Sequence, residues 1–422
     1  MIHYTAHIKF LFFAILFFGT AAEIFAAEGD LDSSFGSDGI VTTDNGSRSE
    51  QINDIAVQPD GKIIAVGVIS INSALQTVFV RYNANGSIDS LFGTSGKVII
   101  ESVFVAKLAL QPNGKIVIVG SDGRSPNFNS YVARLNSDGS FDTTFNGTGT
   151  VTLDLRGTND SLSSVKILPD GKILTGGSSA RPAPDLRSDF AIIRFNADGS
   201  LDTTFDGDGK VFTMIPPTGE SAGIADLAVQ PDGKILAAGS VSVVDTPGDD
   251  PDRIFAVVRY NANGSLDTTF DGDGVANPRF LPASGNGITS TSVPTNIFAQ
   301  NDGKILVVGN ASTCCAPFPT SKAALVRFNA DGSFDTTFAS GGKALISFPA
   351  DFFSVGKASI QTDNKIVIAG STGNIKQRFV AVARLTSDGA LDLTFSGDGR
   401  TNIVPSLSNT TASTVALQPD GK

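Results

Sequence analysis

Residues 196–210 read NADGSLDTTFDGDGK, and nearly the same fifteen residues return at 261–275 as NANGSLDTTFDGDGV. The centre of this stretch, an apolar residue followed by Asp-x-x-Phe, occurs seven times at intervals of 53 to 68 residues. A period of this length indicates an array of similar structural units. The aspartates and phenylalanines of the seven copies are Asp32, Asp89, Asp142, Asp202, Asp267, Asp335 and Asp392, and Phe35, Phe92, Phe145, Phe205, Phe270, Phe338 and Phe395.

An arginine stands eight residues before the aspartate in each of the six later copies. This constant spacing predicts an Arg–Asp hydrogen-bonded pair in every copy. The aspartate is also expected to cap the short turn that follows it, because Asp side chains accept hydrogen bonds from free backbone N–H groups. The six arginines are Arg81, Arg134, Arg194, Arg259, Arg327 and Arg384.

A second motif, Gln-Pro-Asp-Gly-Lys, alternates with the first, and short segments rich in β-branched residues lie between them. Each unit reads as four short strands with an Asp-Gly turn, the strongest short hairpin signal. We predict an all-β fold, a β-propeller of four-stranded antiparallel blades. Six repeats are complete and a seventh is truncated, which predicts seven blades in the complete ring. A parallel β-helix is the alternative, although its coils are normally shorter and more even.

Two connections in each unit keep a constant length and two vary. The repeated arginine is followed 15 residues later by a glycine in six cases out of six, and the Asp-Gly-Lys turn is equally constant. Because loops alternate between the two ends of antiparallel strands, the constant loops are expected on one face of the ring and the variable loops on the other. We interpret residues 196–210 as the linker between blades, with Leu201 and Phe205 buried between neighbouring sheets.

The N-terminus predicts a secretory signal peptide over residues 1–27, cleaved somewhere within 21–27. A short polar stretch ending at Lys9 precedes an apolar run from Phe10 to about Ala22, which is short for a membrane span. Residues 28–422 then form an exported repeat domain without a further membrane span. That domain is expected to be incomplete at its C-terminus, because residues 418–422 end in the middle of a hairpin.

Composition excludes some classes of function. The formal net charge is −11, which opposes binding to the phosphate backbone of nucleic acids. The two histidines, His3 and His7, lie in the signal region, and the chain has no Trp. Without histidine the exported domain has no Ser–His or Cys–His pair and no histidine-ligated metal. We therefore expect no enzyme activity and no cofactor, and we expect a monomer.

Three features are candidates for ligand binding. The Asp-Gly-Asp-Gly runs supply carboxylates of the kind that calcium prefers, namely Asp206, Asp208, Asp271 and Asp273. An EF-hand match fails, because the twelfth place counted from Asp202 is Thr213, and turn chemistry is the alternative interpretation. An acidic variable loop is the candidate for partner binding, through Asp245, Asp249, Asp250, Asp252 and Arg253, although it is also typical of a solvated loop. Cys314 and Cys315 are adjacent, and either a vicinal disulfide or two free thiols fits them.

The repeats, such as ARLNSDGSFDTTFNGTG and VRFNADGSFDTTFASGG, resemble the delta-60 repeat family of bacterial secreted proteins. The resemblance covers residues 31–422. It implies a β-propeller and export, and it carries over no catalytic residues.

From these observations we expect an exported, non-catalytic binding or structural scaffold, with an unknown protein or surface polymer docking on the variable loops. Two alternatives remain open. The first is a calcium-stabilised adhesion module. The second is a carboxylate-dependent enzyme of the glycosidase type, which would need clustered carboxylates inside the central channel.

Overall fold

The computed structural model describes residues 10–13, 29–36, 38–46, 50–71, 74–123, 127–216, 221–244, 250–282, 289–314, 320–348, 352–373, 377–403 and 411–418. Over these ranges the chain is built from strands and turns. No helix in them has the length and apolar character needed to cross a membrane.

In the described ranges the strands form six four-stranded antiparallel blades, each from strands that are consecutive in the chain, and one separate pair; the fourth and fifth blades are joined into one eight-stranded sheet. The pair is β1 (Phe10–Phe13) with β2 (Ile40–Thr43). The first blade is β3 (Glu50–Val57), β4 (Ile63–Ile71), β5 (Ala74–Tyr82) and β6 (Lys97–Glu101). The second is β7 (Val103–Leu110), β8 (Ile116–Asp122), β9 (Ser130–Leu135) and β10 (Thr150–Leu153). The third is β11 (Asp160–Ile167), β12 (Ile173–Ala180), β13 (Ser188–Phe195) and β14 (Lys210–Thr213).

The remaining three blades repeat this order. The fourth is β15 (Ala222–Val229), β16 (Ile235–Val243), β17 (Asp252–Tyr260) and β18 (Val275–Ala276). The fifth is β19 (Thr289–Ala299), β20 (Ile305–Cys314), β21 (Ser321–Phe328) and β22 (Lys343–Ile346), and one parallel bridge, Arg253 to Thr291, joins it to the fourth. The sixth is β23 (Phe352–Ile360), β24 (Ile366–Gly373), β25 (Arg378–Leu385) and β26 (Arg400–Ile403). This antiparallel arrangement confirms the predicted propeller and excludes the parallel β-helix.

The interpretation of residues 196–210 as a linker between blades is wrong. The segment joins β13 to β14 inside the third blade, where Ile193 pairs with Lys210. Backbone hydrogen bonds fold it back on itself, from Asp202 N to Arg194 O at 2.9 Å and from Arg194 N to Gly209 O at 3.0 Å. The strand after the motif is therefore the outer strand of the same blade. The chain passes to the next blade only afterwards, from an outer strand such as β14 to an inner strand such as β15.

The constant and variable loops lie on opposite faces, as their lengths indicated. At one end of the first blade, Lys62 of the Asp-Gly-Lys turn contacts Asp89 of the motif loop at 3.0 Å. At the other end, variable loops contact each other, for example through Asn277 Nδ2 and Pro216 O at 3.0 Å. We call the face formed by the Asp-Gly-Lys turns and the motif loops the template face.

The motif phenylalanine fills the space between neighbouring blades. Phe205 is completely buried in a cluster that includes Phe190 of its own blade and Ile235 of the next. Full burial of a phenylalanine side chain contributes about 1.5–3 kcal/mol. The next copy of the motif packs against this ring with Gly264, which has φ of +95° and where a Cβ would lie 3.0 Å from a carbon of Phe205. Both the dihedral angle and the close approach require glycine there.

Segments from both ends of the sequence occupy the sector between the sixth and first blades. A Cβ at Gly29 would lie 3.4 Å from the ring of Phe395, so the first motif copy packs on the sixth blade as each later copy packs on the blade before it. This copy leads into β2, which takes the place of an outer strand. Residues 411–418 lie on the channel side, where Ala412 N donates to Ser371 Oγ at 3.2 Å. The structure therefore places the first motif copy in this seventh sector.

Candidate functional site

One position of the repeat places a polar side chain in the centre of the ring. It lies four residues before the Gln or Leu that precedes the Asp-Gly-Lys turn, on the innermost strand of each blade. The residues next to it on each side are mostly small or apolar, yet this position is polar in every unit and differs in chemistry from unit to unit. We call these residues the channel ring: Asp54, Lys107, Ser164, Asp226, Asn296, Lys357 and, in the segment 411–418, Thr414.

A β-bulge explains how these side chains reach the channel. In all six described blades the pairing register of the inner strand shifts immediately before the ring position, for example between Ile52 and Asp54 and between Ile224 and Asp226. The extra residue of a bulge bends the strand and redirects the next side chain. The bulge is therefore a repeated device of the fold that aims one residue per blade at the axis.

Asp54 is bound by the two lysines of the channel ring. Its carboxylate accepts a hydrogen bond from Lys357 Nζ at 2.8 Å and lies 3.7 Å from Lys107 Nζ. Leu108 N and Thr414 Oγ1 donate to it at 3.2 Å and 3.3 Å. Burial acts to raise the pKa of Asp54, but the neighbouring Lys357 and Lys107 ammonium groups outweigh it and lower the pKa to about 2. Asp54 is thus a carboxylate at neutral pH.

Asp226 has an equivalent set of donors on the other side of the ring. Ser164 Oγ donates to it at 2.8 Å, Lys166 Nζ lies at 3.0 Å, and Asn296 Nδ2 lies at 3.4 Å. Lys166 comes from the inner strand two residues after Ser164. Burial acts to raise the pKa of Asp226, but Lys166 and Lys107 outweigh it, so the pKa is lowered. The channel therefore holds two ionised carboxylates.

Lys107 differs from the other lysines of this cluster. Its nearest carboxylate oxygen in the described residues is 3.7 Å away, which is longer than a hydrogen bond. Burial lowers the pKa of Lys107, and the attraction of Asp54 only partly offsets it. For Lys357 the same burial is outweighed by Asp54, so its pKa is raised. Lys107 is the ammonium group of the ring that releases its proton most readily.

A cavity of about 720 Å³ connects the channel ring to the template face. Six of the seven ring residues and Lys166 line one part of it, and the seventh, Thr414, contacts Asp54. Its other end is lined by turns of the fifth and sixth blades, including Gln300, Asn301 and Asn364. With three lysines and two aspartates, the polar cluster carries one surplus positive charge in a chain whose net charge is −11. It offers donors, acceptors and a proton donor within one cavity.

The residues that the repeat motif singled out form a different cluster, away from this cavity. Arg194 Nε donates to Asp202 at 2.6 Å, Lys172 Nζ lies 2.8 Å from the same oxygen, and Thr204 N donates to its second oxygen at 3.1 Å. The Arg194 guanidinium carbon lies 4.5 Å from the centroid of Phe205. The Arg–Asp contact is present in all six blades, at Arg81–Asp89, Arg134–Asp142, Arg194–Asp202, Arg259–Asp267, Arg327–Asp335 and Arg384–Asp392. These residues hold the template face together.

The calcium candidates lie in exposed turns. Asp206 and Asp271 have φ of +49° and +50°, and Asp208 and Asp273 each accept a hydrogen bond from a backbone N–H two residues on, at 2.9 Å. Among the described residues no group of three or more metal-ligating side chains comes together. These contacts are those of Asp-Gly turns.

The residues of the acidic variable loop differ in their surroundings. Asp252 is fully buried, with Arg279 NH1 at 3.0 Å and Ser290 N at 2.8 Å, so it stabilises the fourth and fifth blades. Asp250 and Arg253 are exposed. Asp245 and Asp249 lie outside the described residues, as does Cys315, which follows Cys314 at the end of β20.

Sequence reasoning missed the channel ring, although the signal was present. An alignment of the repeats would have shown one position on the inner strand that is polar in every unit and differs between consecutive units. Its residues are Asp, Lys, Ser, Asp, Asn, Lys and Thr in chain order. The repeated motif residues do not reveal this position, since they are the residues that all blades share.

Solved structures that resemble this chain include a Drosophila semaphorin 2a, at 8% identity and a TM-score of 0.50, covering 94% of this chain and 74% of the semaphorin. A polysaccharide lyase of family PL25, an ulvan lyase bound to -[GlcA(1-4)Rha3S]-, matches at 10% identity and a TM-score of 0.47, covering 80% of each chain. An endo-arabinase from Bacteroides thetaiotaomicron VPI-5482 matches at 12% identity and a TM-score of 0.37, covering 69% of this chain and 95% of that one. No curated protein matches the sequence.

These findings contradict the expectation of a non-catalytic scaffold that is not an enzyme. The structures that resemble this chain include carbohydrate-active enzymes. The carboxylates that a glycosidase-type enzyme would need inside the channel are also present, as Asp54 and Asp226. At such identities the likeness shows the fold alone, so the case for an enzyme rests on the channel residues.

The sequence profile of a family described as a β-propeller domain of unknown function, DUF5122, matches residues 58–92, 111–145, 168–205, 230–270, 300–338 and 361–395. Each matched segment begins at the residue before the turn that ends in Lys and finishes at the motif phenylalanine. Together the segments make up more than half of the chain, and all six described blades contribute one. The channel-ring residues fall outside every segment, so the family profile carries no information about them. By these matches the chain belongs to the DUF5122 β-propeller family.

Proposed function

We propose that the protein is a carbohydrate-active enzyme that hydrolyses a glycosidic bond in its central channel. The observation that carries the proposal is the channel ring, in which two buried carboxylates and a loosely paired lysine face one cavity of about 720 Å³. A volume of this size accommodates a few sugar units. Clustered carboxylates and hydrogen-bonding side chains are what glycoside hydrolysis and sugar hydroxyls require.

The roles follow from the charge of each group. Asp226, ionised, accepts a proton from a water molecule as its oxygen attacks the anomeric carbon. The bond from that carbon to the glycosidic oxygen breaks, and its electron pair remains on the oxygen. Lys107, whose pKa burial lowers, gives its proton to this leaving oxygen. Asp54 and Lys357 hold each other in place at 2.8 Å and orient the sugar.

The substrate class follows from the surplus positive charge. Lys107, Lys166 and Lys357 face two carboxylates, so one further negative group in the ligand completes the balance of charge. Buried charges are stable only when they are paired. We therefore expect glycans that contain uronic acid to be better substrates than neutral glycans.

The test is an assay of the purified protein for new reducing ends on polygalacturonate, a glucuronic acid-containing xylan, arabinan and starch. We expect cleavage of at least one acidic glycan. Lys107→Met and Asp226→Asn are expected to lower kcat by about 100-fold or more, as loss of a general acid or base does. Lys210→Met, an exchange of the same type on the outer strand β14, is the control. Absence of reducing ends from every glycan, or full activity in Lys107→Met, would refute the proposal.

The remaining expectations belong to the same proposal. Export through a signal peptide within residues 1–27, action as a monomer, and independence from a metal or organic cofactor fit an enzyme that acts on polymers outside the cell. The narrower assignment of the repeats to the delta-60 type is also part of this proposal.

A further inference from the structure

The turn before the repeated lysine has one sequence pattern, the template, from which the fifth and sixth blades depart. It contains proline in the first four blades, at Pro59, Pro112, Pro169 and Pro231. In the fifth blade the sequence is Gln-Asn-Asp-Gly-Lys, with Asn301 in the place of proline. In the sixth it is Gln-Thr-Asp-Asn-Lys, with Thr362 in the place of proline and Asn364 in the place of glycine.

These exchanges replace residues whose backbone preferences suit the turn. Proline fixes φ in the unfolded chain, so its presence at a compatible turn position stabilises a protein. Asn364 has φ of +65°, whereas the corresponding Gly61, Gly114, Gly171, Gly233 and Gly303 have φ between +81° and +83°. Asparagine tolerates this left-handed region better than most residues with a Cβ. The sixth blade therefore carries a polar side chain where the other described blades carry glycine.

The same three residues line the cavity. Asn301, Thr362 and Asn364 lie at its template-face end, together with Gln300 and Gln361, whereas none of the four template prolines lines it. All three are exposed, so a ligand reaches them from solvent. The coincidence of broken template and cavity lining points to a function for these side chains.

We propose that Asn301, Thr362 and Asn364 form a sugar-binding subsite at the mouth of the channel, which holds a neutral part of a glycan chain whose cleaved bond lies at the channel ring. Amide and hydroxyl groups both donate and accept hydrogen bonds without charge, which matches sugar hydroxyls. This inference rests on the proposed function. It adds that the glycan enters from the template face, on the side of the fifth and sixth blades, and that these turns set the preference for longer chains.

The test restores the template. A triple variant, Asn301→Pro, Thr362→Pro and Asn364→Gly, contains at each place the residue that the other blades use. Neither Asn301 nor Thr362 donates a backbone N–H to another described backbone group, so proline removes no such bond. We expect the variant to fold with a Tm equal to or above that of the wild type. The control is Pro59→Asn with Pro112→Thr, the reverse exchange in two blades whose turns do not line the cavity.

Kinetics on oligosaccharides of increasing length, prepared from the glycan that the wild type cleaves, give the answer. For chains long enough to reach the mouth, we expect the triple variant to raise KM about tenfold with kcat nearly unchanged, since the side chains that hydrogen-bond the sugar are lost. The shortest substrates and the control variant should show no change. A KM within about twofold of the wild type at every length overturns the subsite.

An inactive wild type would refute the proposed function, and the subsite is then decided by calorimetry with hexasaccharides of galacturonic acid, xylose and arabinose. Binding by the wild type that the triple variant weakens and the control retains supports the subsite. Equal binding by all three, or no binding to any hexasaccharide, refutes it.

Discussion

Replacement of Asp202 by alanine tests how the template face is stabilised. Asp202 is 2% exposed and accepts hydrogen bonds from Arg194 Nε at 2.6 Å and Lys172 Nζ at 2.8 Å, and from Thr204 N and Thr204 Oγ1 at 3.1 Å and 2.7 Å. The variant removes the carboxylate that pairs with the buried Arg194, and it leaves Lys172 only Asp170, at 4.0 Å. Removal of one partner from a buried ion pair costs about 3–5 kcal/mol, because the remaining charge is not compensated.

This free energy corresponds to a measurable shift in Tm. Unfolding entropy is about 2 cal/mol/K per residue, so a chain of 422 residues has about 0.9 kcal/mol/K, and the expected decrease in Tm is about 3–6 °C. Calorimetry and circular dichroism on the same samples measure it. Asp208→Ala is the control, because this exposed carboxylate makes one hydrogen bond, to Lys210 N at 2.9 Å, in the same loop. Its effect should stay within about 1 °C.

The pH dependence provides an independent check of the same contact. Burial acts to raise the pKa of Asp202, but the Lys172, Thr204 and Arg194 donors outweigh it and lower the pKa far below its ordinary value. A lowered pKa contributes stability that is present above the unfolded value of about 3.9 and is lost as the pH falls below it. Wild type should therefore lose more stability than Asp202→Ala between pH 5 and pH 2, taken as about the range of this titration. If the variant melted with the wild type at pH 7, the stabilising role of the Arg–Asp–Lys contact would be refuted.

Three further outcomes are expected. Gly264→Ala should lower the free energy of unfolding by about 1–3 kcal/mol, because φ is +95° and the new Cβ would lie 3.0 Å from Phe205. Gly272→Ala, with φ of +88° and no atom within 4 Å of its Cβ, should lower the free energy of unfolding by less. Urea unfolding of the two variants measures the difference. Asp54, with a pKa of about 2, should contribute about 2 kcal/mol above pH 4 that disappears as the pH falls towards 2, and Asp54→Asn should remove this part of the acid dependence seen by circular dichroism. Addition of a calcium chelator should leave Tm unchanged, since the Asp208 carboxylate accepts a hydrogen bond within its own turn. A decrease in Tm that added calcium reverses would instead favour the calcium-stabilised adhesion module.

The propeller was predictable because its signal is local and repeated. Asp-Gly turns and the spacing of eight between Arg194 and Asp202 are set by one hairpin, so they appear in every copy of the sequence. The assignment of the motif to a blade was not predictable in the same way. The repeat reads equally well with the outer strand first or last, and only the pairing of Ile193 with Lys210 decides it.

The candidate site was harder to predict because it depends on contacts between distant blades. Asp54 and Lys357 are separated by 303 residues and meet only when the ring closes. No local pattern contains that contact. Asp252 shows the opposite error: it reads as part of a solvated acidic loop, but a partner 27 residues away, Arg279, makes it a buried structural residue.

The arginine of the motif has a second contact that gives the ring a direction. Arg194 NH1 donates to Ala262 O of the following blade at 2.6 Å, and the corresponding arginines of the first, second, fourth and fifth blades donate to the blade after their own. Each unit therefore presents a donor on its leading side and a carbonyl on its trailing side, and these are the same for every neighbour. A gene duplication that inserts one unit brings both halves of the contact with it, so a blade can be gained or lost without redesign of any interface. The channel ring has no such uniformity, and each change in blade number would alter the set of side chains that meet at the axis. In this architecture the contacts between blades permit a change in blade number, while each such change alters the side chains at the centre of the ring.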